Sequence, residues 1–139
     1  MKILKGYKIM IKIEHIAIWV KDIELMKNFY CKYFNGTHNN KYENKAKEFT
    51  SYFIDFGSGC RLELMHSNSL INDKISDRKA RLGISHLAIS LGSKQLVDDL
   101  TYTLELDGYK IAIYPRTTGD GYYESCIFDP ENNQIELTE

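Results

Sequence analysis

Residues 13–19 read IEHIAIW, and residues 84–90 read ISHLAIS. The same phrase, small and apolar residues around a histidine in third place, occurs twice within 139 residues. The two histidines, His15 and His86, stand 71 positions apart. Chance similarity between two amphipathic strands would account for the phrase alone. The segments downstream of the two phrases match as well, and a repeat of that kind restricts the chain to folds assembled from two copies of one small unit.

Downstream of the first phrase, Asp22 is a good helix N-cap, and Ile23, Met26, Phe29, Tyr30, Tyr33 and Phe34 recur at helical spacing until the Asn-Gly pair at 35–36. Downstream of the second, Ser93 is the cap, Leu96, Val97, Leu100 and Leu104 form the apolar stripe, and Gly108 ends it. Strand-like segments come next. In the first half they are roughly 48–56 and 60–66, separated by Gly-Ser-Gly at 57–59, with 37–42 as a weaker candidate. In the second half they are 109–114, 122–128 and 133–138, with a turn at DPENN, residues 129–133. Both halves close alike, on RLEL at 61–64 and QIEL at 134–137.

These segments predict a single α+β domain over 1–139, made of two tandem βαβββ modules. Module one covers about 11–66, a polar linker 67–83, and module two 84–139. Residues 1–10 are an additional N-terminal segment, and Met10 is a candidate start, because the patterned sequence begins at Ile11. Neither module alone buries its sheet well; two related by a pseudo-twofold do. Hydrophobic residues make up 43% of the chain, which suffices for such a core.

Charge and hydropathy narrow the function classes. A net charge of −1, from 18 basic and 19 acidic residues, offers no electrostatic case for nucleic acid or an anionic membrane. The longest apolar runs are five residues, as in IAIWV at 16–20, too short to cross a bilayer. Lysines 5, 8 and 12 interrupt any signal-like stretch at the start. Three cysteines, Cys31, Cys60 and Cys126, show no pairing motif, so the expected setting is a reducing cytoplasm.

Strand alternation gives direction to four side chains. Ile13, His15, Ala17 and Trp19 share one face; Ile84, His86, Ala88 and Ser90 share another. Glu63 points with Arg61 and Met65, and Glu136 with Gln134 and Thr138. A carboxylate on a strand otherwise dressed with leucine and isoleucine is costly if buried without a partner. Alone, each of these residues has an ordinary structural explanation. As a repeat-related set, His15, Glu63, His86 and Glu136 point to a shared divalent ion. Two imidazoles and two carboxylates without thiolate are unlike a closed structural zinc site. They suit nickel, cobalt, zinc, manganese or iron with positions left open to water or substrate. His38 and His66 read as structural, His66 because three residues from Glu63 it faces the other way, and Cys60 reads as packing for the same reason.

The stretch PRTTGDGYYES at 115–125 precedes a strand that should flank the site. Arg116 is placed to meet an anionic substrate, and Tyr122 or Tyr123 to wall a pocket; an ordinary solvated hairpin with strand tyrosines fits the same residues equally well.

The motifs EHIAIWVKD (14–22), RLELM (61–65), SHLAIS (85–90) and FDPENNQIEL (128–137) together resemble the vicinal oxygen chelate superfamily, and within it glyoxalase I, lactoylglutathione lyase. The resemblance runs from about Ile11 to Glu139. It implies a cupped mixed sheet around one divalent metal ion per chain, and it places His15, Glu63, His86 and Glu136 on the four metal-ligand positions. It implies a lyase that isomerises the hemithioacetal of a 2-oxoaldehyde such as methylglyoxal and a thiol, with Glu136 the leading base and Glu63 its symmetry mate. It further implies a homodimer with shared sites, His15 and Glu63 of one chain facing His86 and Glu136 of the other. Relatives of other kinds remain as alternatives: epimerases, ring-cleaving dioxygenases, thiol transferases, and antibiotic-binding proteins without catalysis. A glutamate at 63 favours glyoxalase I over them. Two positions depart from the glutathione-using pattern: Trp19 stands where an arginine is usual, and Ser67 where an asparagine is usual. Both usual residues hold the glutamyl end of glutathione, so the thiol is the open question.

Overall fold

The computed structural model describes residues 12–70 and 83–139. Strand β1 (His15–Trp19) leads into helix α1 (Ile23–Phe34), and then come β2 (Thr37–His38), β3 (Tyr42–Asn44), a 3-10 turn at Lys45–Lys47, β4 (Phe49–Asp55) and β5 (Arg61–Ser67). The second half runs β6 (Leu87–Ser90), α2 (Lys94–Leu106), β7 (Ile111–Thr117), β8 (Tyr123–Phe128) and β9 (Gln134–Thr138).

Helix limits coincide with their caps. Asp22 accepts from the Leu25 amide at the start of α1, and Ser93 from the Leu96 amide at the start of α2. At the end of α1 the Asn-Gly pair divides the work. Asn35 takes the left-handed conformation, φ 52°, while a Cβ on Gly36 would stand 2.6 Å from Ile54 Cγ2, so only glycine lets the chain pass the sheet there. The weak strand expected at 37–42 is two short pieces, β2 and β3, both paired with β4. In module two, regular strand geometry begins at Leu87, so His86 sits at the mouth of β6.

The two halves form two sheets of the same design. Their orders are β1-β5-β4-β2, with β3 also on β4, and β6-β9-β8-β7. In each, the last strand inserts beside the first and runs parallel to it, and the remaining neighbours are antiparallel. Glu63 is thereby brought level with Ala17, and Glu136 level with Ala88, in each case the alanine two residues beyond the histidine.

One apolar cluster serves both halves. Val20, Met26, Phe29, Tyr30, Ile54 and Leu64 of module one join Val97, Leu104, Ile127, Ile135 and Leu137 of module two. Each helix is tied to its sheet by a different polar device. Glu24 of α1 accepts from Lys27 (2.7 Å), Lys41 (2.9 Å) and Tyr52 (3.1 Å), and these donors, Lys27 first, hold its carboxyl down to about 2. In α2 the link is neutral: Thr101 and Ser125, both fully buried, share a hydroxyl hydrogen bond of 2.6 Å.

Side chains of α1 also join the modules. The buried Tyr30 hydroxyl donates to Asp129 at 3.0 Å. Burial first, then the Asp129 charge, pushes the Tyr30 phenol well above its ordinary range. Glu131 accepts from the Lys21 and Asp22 amides, placing a carboxylate where the amide ends of α1 want one. Lys32 and Tyr33 both donate to Asp107, and Phe29 and Tyr33 pack on the Tyr109 ring.

Candidate metal centre

Both sheets turn one face to a helix and leave the other open. Along β1, His15, Ala17 and Trp19 are exposed while Ile16 and Ile18 are partly covered; His86, Ala88 and Ser90 repeat the pattern around β6. On β5, Leu62 and Leu64 are buried and Glu63 between them is not; on β9, Ile135 and Leu137 are buried and Glu136 is not. Period-two alternation thus delivers each glutamate to the face of its histidine.

The result is two histidine–glutamate pairs of the same geometry. His15 Nε2 lies 3.7 Å from Glu63 Oε2, and His86 Nε2 lies 3.5 Å from Glu136 Oε2. Two donors that share an ion at about 2.1 Å each stand about 3.0–3.5 Å apart, so a small side-chain adjustment lets either pair grip one. The donor set, neutral imidazole nitrogen with carboxylate oxygen and no thiolate, fits a first-row divalent ion. Among the described residues no three histidine, cysteine, aspartate or glutamate side chains converge. Among the described residues the two pairs stay separate.

The surroundings of the two pairs differ. Beside Glu63 in register is Phe53, whose ring meets the His15 ring edge-on at 5.3 Å; Trp19 meets Phe49 in the same way at 6.0 Å. Module one therefore has an aromatic wall. Beside Glu136 in register is Cys126, and two residues before it Glu124 stands level with Thr138. Loss of solvent and then the neighbouring Glu136 charge raise the Glu124 carboxyl above its ordinary value. The same two causes raise the Cys126 thiol.

The other residues singled out in the sequence lie at varied distances from these pairs. Ser67 lies on the Glu63 side of β5, nearly buried, its hydroxyl 2.9 Å from that of Ser69. Arg116 is on β7, level with Glu124. Tyr122 is exposed in the turn before β8, and its amide is bonded to Thr118. Tyr123 faces α2: its hydroxyl donates to Asp98 at 2.7 Å, and Lys94 lies over its ring. It shares the helix-facing side of β8 with Ser125, away from the His86–Glu136 pair, so the pocket-wall reading does not suit it. His66 turns away from Glu63 and donates to the Val20 carbonyl at 2.9 Å, and His38 donates to the Asn39 carbonyl at 2.8 Å. Cys31, Cys60 and Cys126 are free thiols. Linker positions 71–82 and the N-terminal residues 1–11 lie outside the described residues.

Glu124 is one residue that sequence reading passed over. Its signal was available: it lies two residues before Cys126 on β8, the same alternation that places Glu136 two after Gln134. Recognising it required knowing that β8 and β9 are neighbours.

Comparison with known families settles the kinship. The model of the Glyoxalase/Bleomycin resistance protein/Dioxygenase superfamily matches residues 12–137. The chain belongs to this superfamily. Its two mixed sheets and two helices are the vicinal oxygen chelate fold. Among solved structures, a glyoxalase family protein of Enterococcus faecalis superposes with a TM-score of 0.73 at 25% identity, over 92% of this chain and 97% of that one. The trypanothione-dependent glyoxalase I of Leishmania major gives 0.71 at 20% identity, over 94% and 87%. Glyoxalase I of Zea mays gives 0.71 at 21% identity, over 91% of this chain and 44% of that one. The uncharacterized protein YqjT of Bacillus subtilis (strain 168) is 36% identical over 62 residues, 42% of this chain and 48% of that protein. The chain thus aligns with about half the length of that curated relative and of the maize enzyme. No helix of the described residues is long and apolar enough to cross a membrane.

Proposed function

We propose that the protein is a metal-dependent glyoxalase I-like lyase, converting the hemithioacetal of a 2-oxoaldehyde and a thiol into a 2-hydroxyacyl thioester. The observation that carries this reading is the pair of equivalent half-sites, His15–Glu63 at 3.7 Å and His86–Glu136 at 3.5 Å, on open sheet faces. The active form is a homodimer, in which His15 and Glu63 of one protomer meet His86 and Glu136 of its partner. Support for sharing comes from the separation of the two pairs within a chain and from the exposure of the faces that bear them, Trp19 being 53% exposed.

The four side chains would hold one divalent ion per site, nickel, zinc or cobalt in first place and manganese or iron behind them. Such an ion supplies Lewis-acid stabilisation of negative charge developing on the two substrate oxygens. Glu136 takes the proton from the thiol-bearing carbon, leaving an enediolate, and returns it to the adjacent carbon. The carbon-bound proton moves to the neighbouring carbon and the hydroxyl proton to the neighbouring oxygen, so the product is an isomer and no oxidant or reductant is consumed. Glu63 is the second carboxylate within reach. Trp19, Ser67, Arg116 and Tyr122 are the residues proposed to contact the substrate.

Thiol choice is expected to depart from glutathione. Trp19 and Ser67 lack the charge-assisted hydrogen bonds an arginine gives a carboxylate. One missing contact of that type costs about 1.5–3 kcal/mol. Adducts of another thiol should therefore turn over at least as well as those of glutathione. The Leishmania major glyoxalase I is trypanothione-dependent, so an enzyme similar to this chain in fold depends on a thiol other than glutathione. The test is metal content of the purified protein, followed by thioester formation read by ultraviolet absorbance. It uses methylglyoxal adducts of several thiols, with nickel, cobalt, zinc and manganese in turn. No turnover of any adduct by metal-loaded protein would refute the lyase reading.

A further inference from the structure

The support given to the two histidines is unequal. His86 Nδ1 faces only the Ser85 hydroxyl, at 3.3 Å. His15 Nδ1 lies 2.5 Å from Glu14 Oε2, and the other oxygen of that carboxylate accepts from Arg61 Nε at 2.8 Å and from its terminal nitrogen. Arg61 is itself held at several points. It is the register partner of His15, its amide donates to the Glu14 carbonyl at 3.0 Å, and its guanidinium lies 4.2 Å from the centre of the Phe53 ring. Phe53 in turn closes on the His15 ring. Glu14 is thus fixed at both its backbone and its carboxylate by one arginine, and the hydrogen bond to His15, then that to Arg61, lowers its carboxyl below the ordinary range.

A neutral imidazole that offers a lone pair at Nε2 must carry its proton at Nδ1. A carboxylate at Nδ1 can only accept, so it selects that tautomer; a serine hydroxyl accepts or donates and selects neither. Histidines that bind metals are commonly oriented by a carboxylate in this way. We infer that Glu14, braced by Arg61, is a positioning residue that fixes the tautomer and orientation of His15 and presents its Nε2 toward Glu63, whereas His86 has no equivalent device among the described residues. The inference deepens the proposed function, since it rests on His15 and Glu63 as ligands. The bland alternative is a surface ion pair: the Glu14 side chain is 55% exposed, and such pairs contribute little to stability.

The experiment is a long-range proton–nitrogen correlation spectrum of the histidine side chains. It is recorded on metal-free, full-length protein at about pH 8, where an ordinary imidazole is neutral. His15 is expected in the Nδ1–H form. In Glu14→Ala it should move toward the Nε2–H form while the His86 signals stay in place. Glu14→Gln has a single accepting oxygen, which the two Arg61 donors claim, so it presents its amide N–H to Nδ1 and should give the Nε2–H form as well. Zinc titration of the same proteins should show affinity weakened about 10–100-fold in Glu14→Ala and in Glu14→Gln. Ser85→Ala should leave zinc affinity unchanged. A His15 already protonated at Nε2, or a tautomer indifferent to Glu14→Ala, overturns the inference. A tautomer that tracks Glu14 in protein that binds no zinc upholds the positioning and overturns the ligand reading instead.

Discussion

Module one and module two share a backbone plan down to the register of a single alanine, yet they equip it differently. Ala17 is level with Glu63 and Ala88 with Glu136, so the histidine–glutamate spacing is nearly the same, 3.7 against 3.5 Å. Around that common frame, module one gathers rigid neighbours: Glu14 and Arg61 on the histidine, Phe53 against its ring, Phe49 against Trp19. Module two gathers carboxylate chemistry, with Glu124 beside Glu136 and Cys126 level with it. A duplicated sheet preserves the positions of its polar pairs because the register is a property of the whole ladder, while each side chain flanking them is free to change. One half is built to hold, and the other is where the carboxylates collect.

The largest effect that tests this division is at the two glutamates. Glu136→Gln should lower kcat by about 100–10,000-fold, the usual contribution of a positioned base, and weaken metal binding much less. Glu63→Gln should show the reverse balance, a larger loss of metal affinity for a given loss of kcat. Parallel kinetics and metal titrations would erase the distinction if both variants behaved alike.

The proposed sharing of the two pairs between protomers predicts complementation. His15→Ala and His86→Ala chains, each inactive alone, should regain metal binding and turnover when combined in mixed dimers, because one interface then carries four intact ligands. Verified mixed dimers without recovery would confine each site to one chain, and a monomer by sedimentation at micromolar concentration would remove the shared site altogether.

Smaller effects probe the helix anchors. The Thr101 hydroxyl donates to the Val97 carbonyl and accepts from Ser125, so Thr101→Val leaves the buried Ser125 hydroxyl without its acceptor. It should cost about 1–3 kcal/mol in denaturant unfolding, with no dependence on acid pH. Tyr30→Phe, which deprives the buried Asp129 carboxylate of one of its donors, should cost about 1.5–3 kcal/mol.

The smallest effect is the Glu24 anchor of module one. Its carboxyl is depressed in the folded protein to about 2 from an ordinary 4.5. Its stabilisation is therefore fully present above about 4.5 and is lost as pH falls from there towards 2. The side chain is 47% exposed, so screening holds the contribution to about 0.5–1 kcal/mol. Hydrogen exchange across that interval should show amides of α1 and β4 losing protection in the wild type, and Glu24→Gln should flatten the pH dependence. Equal acid sensitivity in α2 and β8 would show that the neutral anchor confers no advantage.

Local signals in the sequence were sufficient for the elements. Asp22 and Ser93 are side chains that cap, Asn35 tolerates a positive φ, and alternation around His15, Glu63, His86 and Glu136 sends all four to the open faces. These are short-range effects of residue chemistry and period, and a duplicated phrase doubles their weight. The same reasoning left Tyr123 open between a pocket wall and an ordinary strand tyrosine, because alternation alone does not say which face of β8 meets α2; Asp98 does, through a contact 25 positions away. It passed over Glu124 and Glu14 for a related reason. Glu124 matters only when β9 lies beside β8, and Glu14 only when β5 brings Arg61 level with His15. The four candidate donors were thus determined by the sequence pattern itself. Their neighbours, and the grouping of the four into two histidine–glutamate pairs, were decided by strand insertion in the tertiary structure, since contacts between distant positions form only when the ladder sets their register.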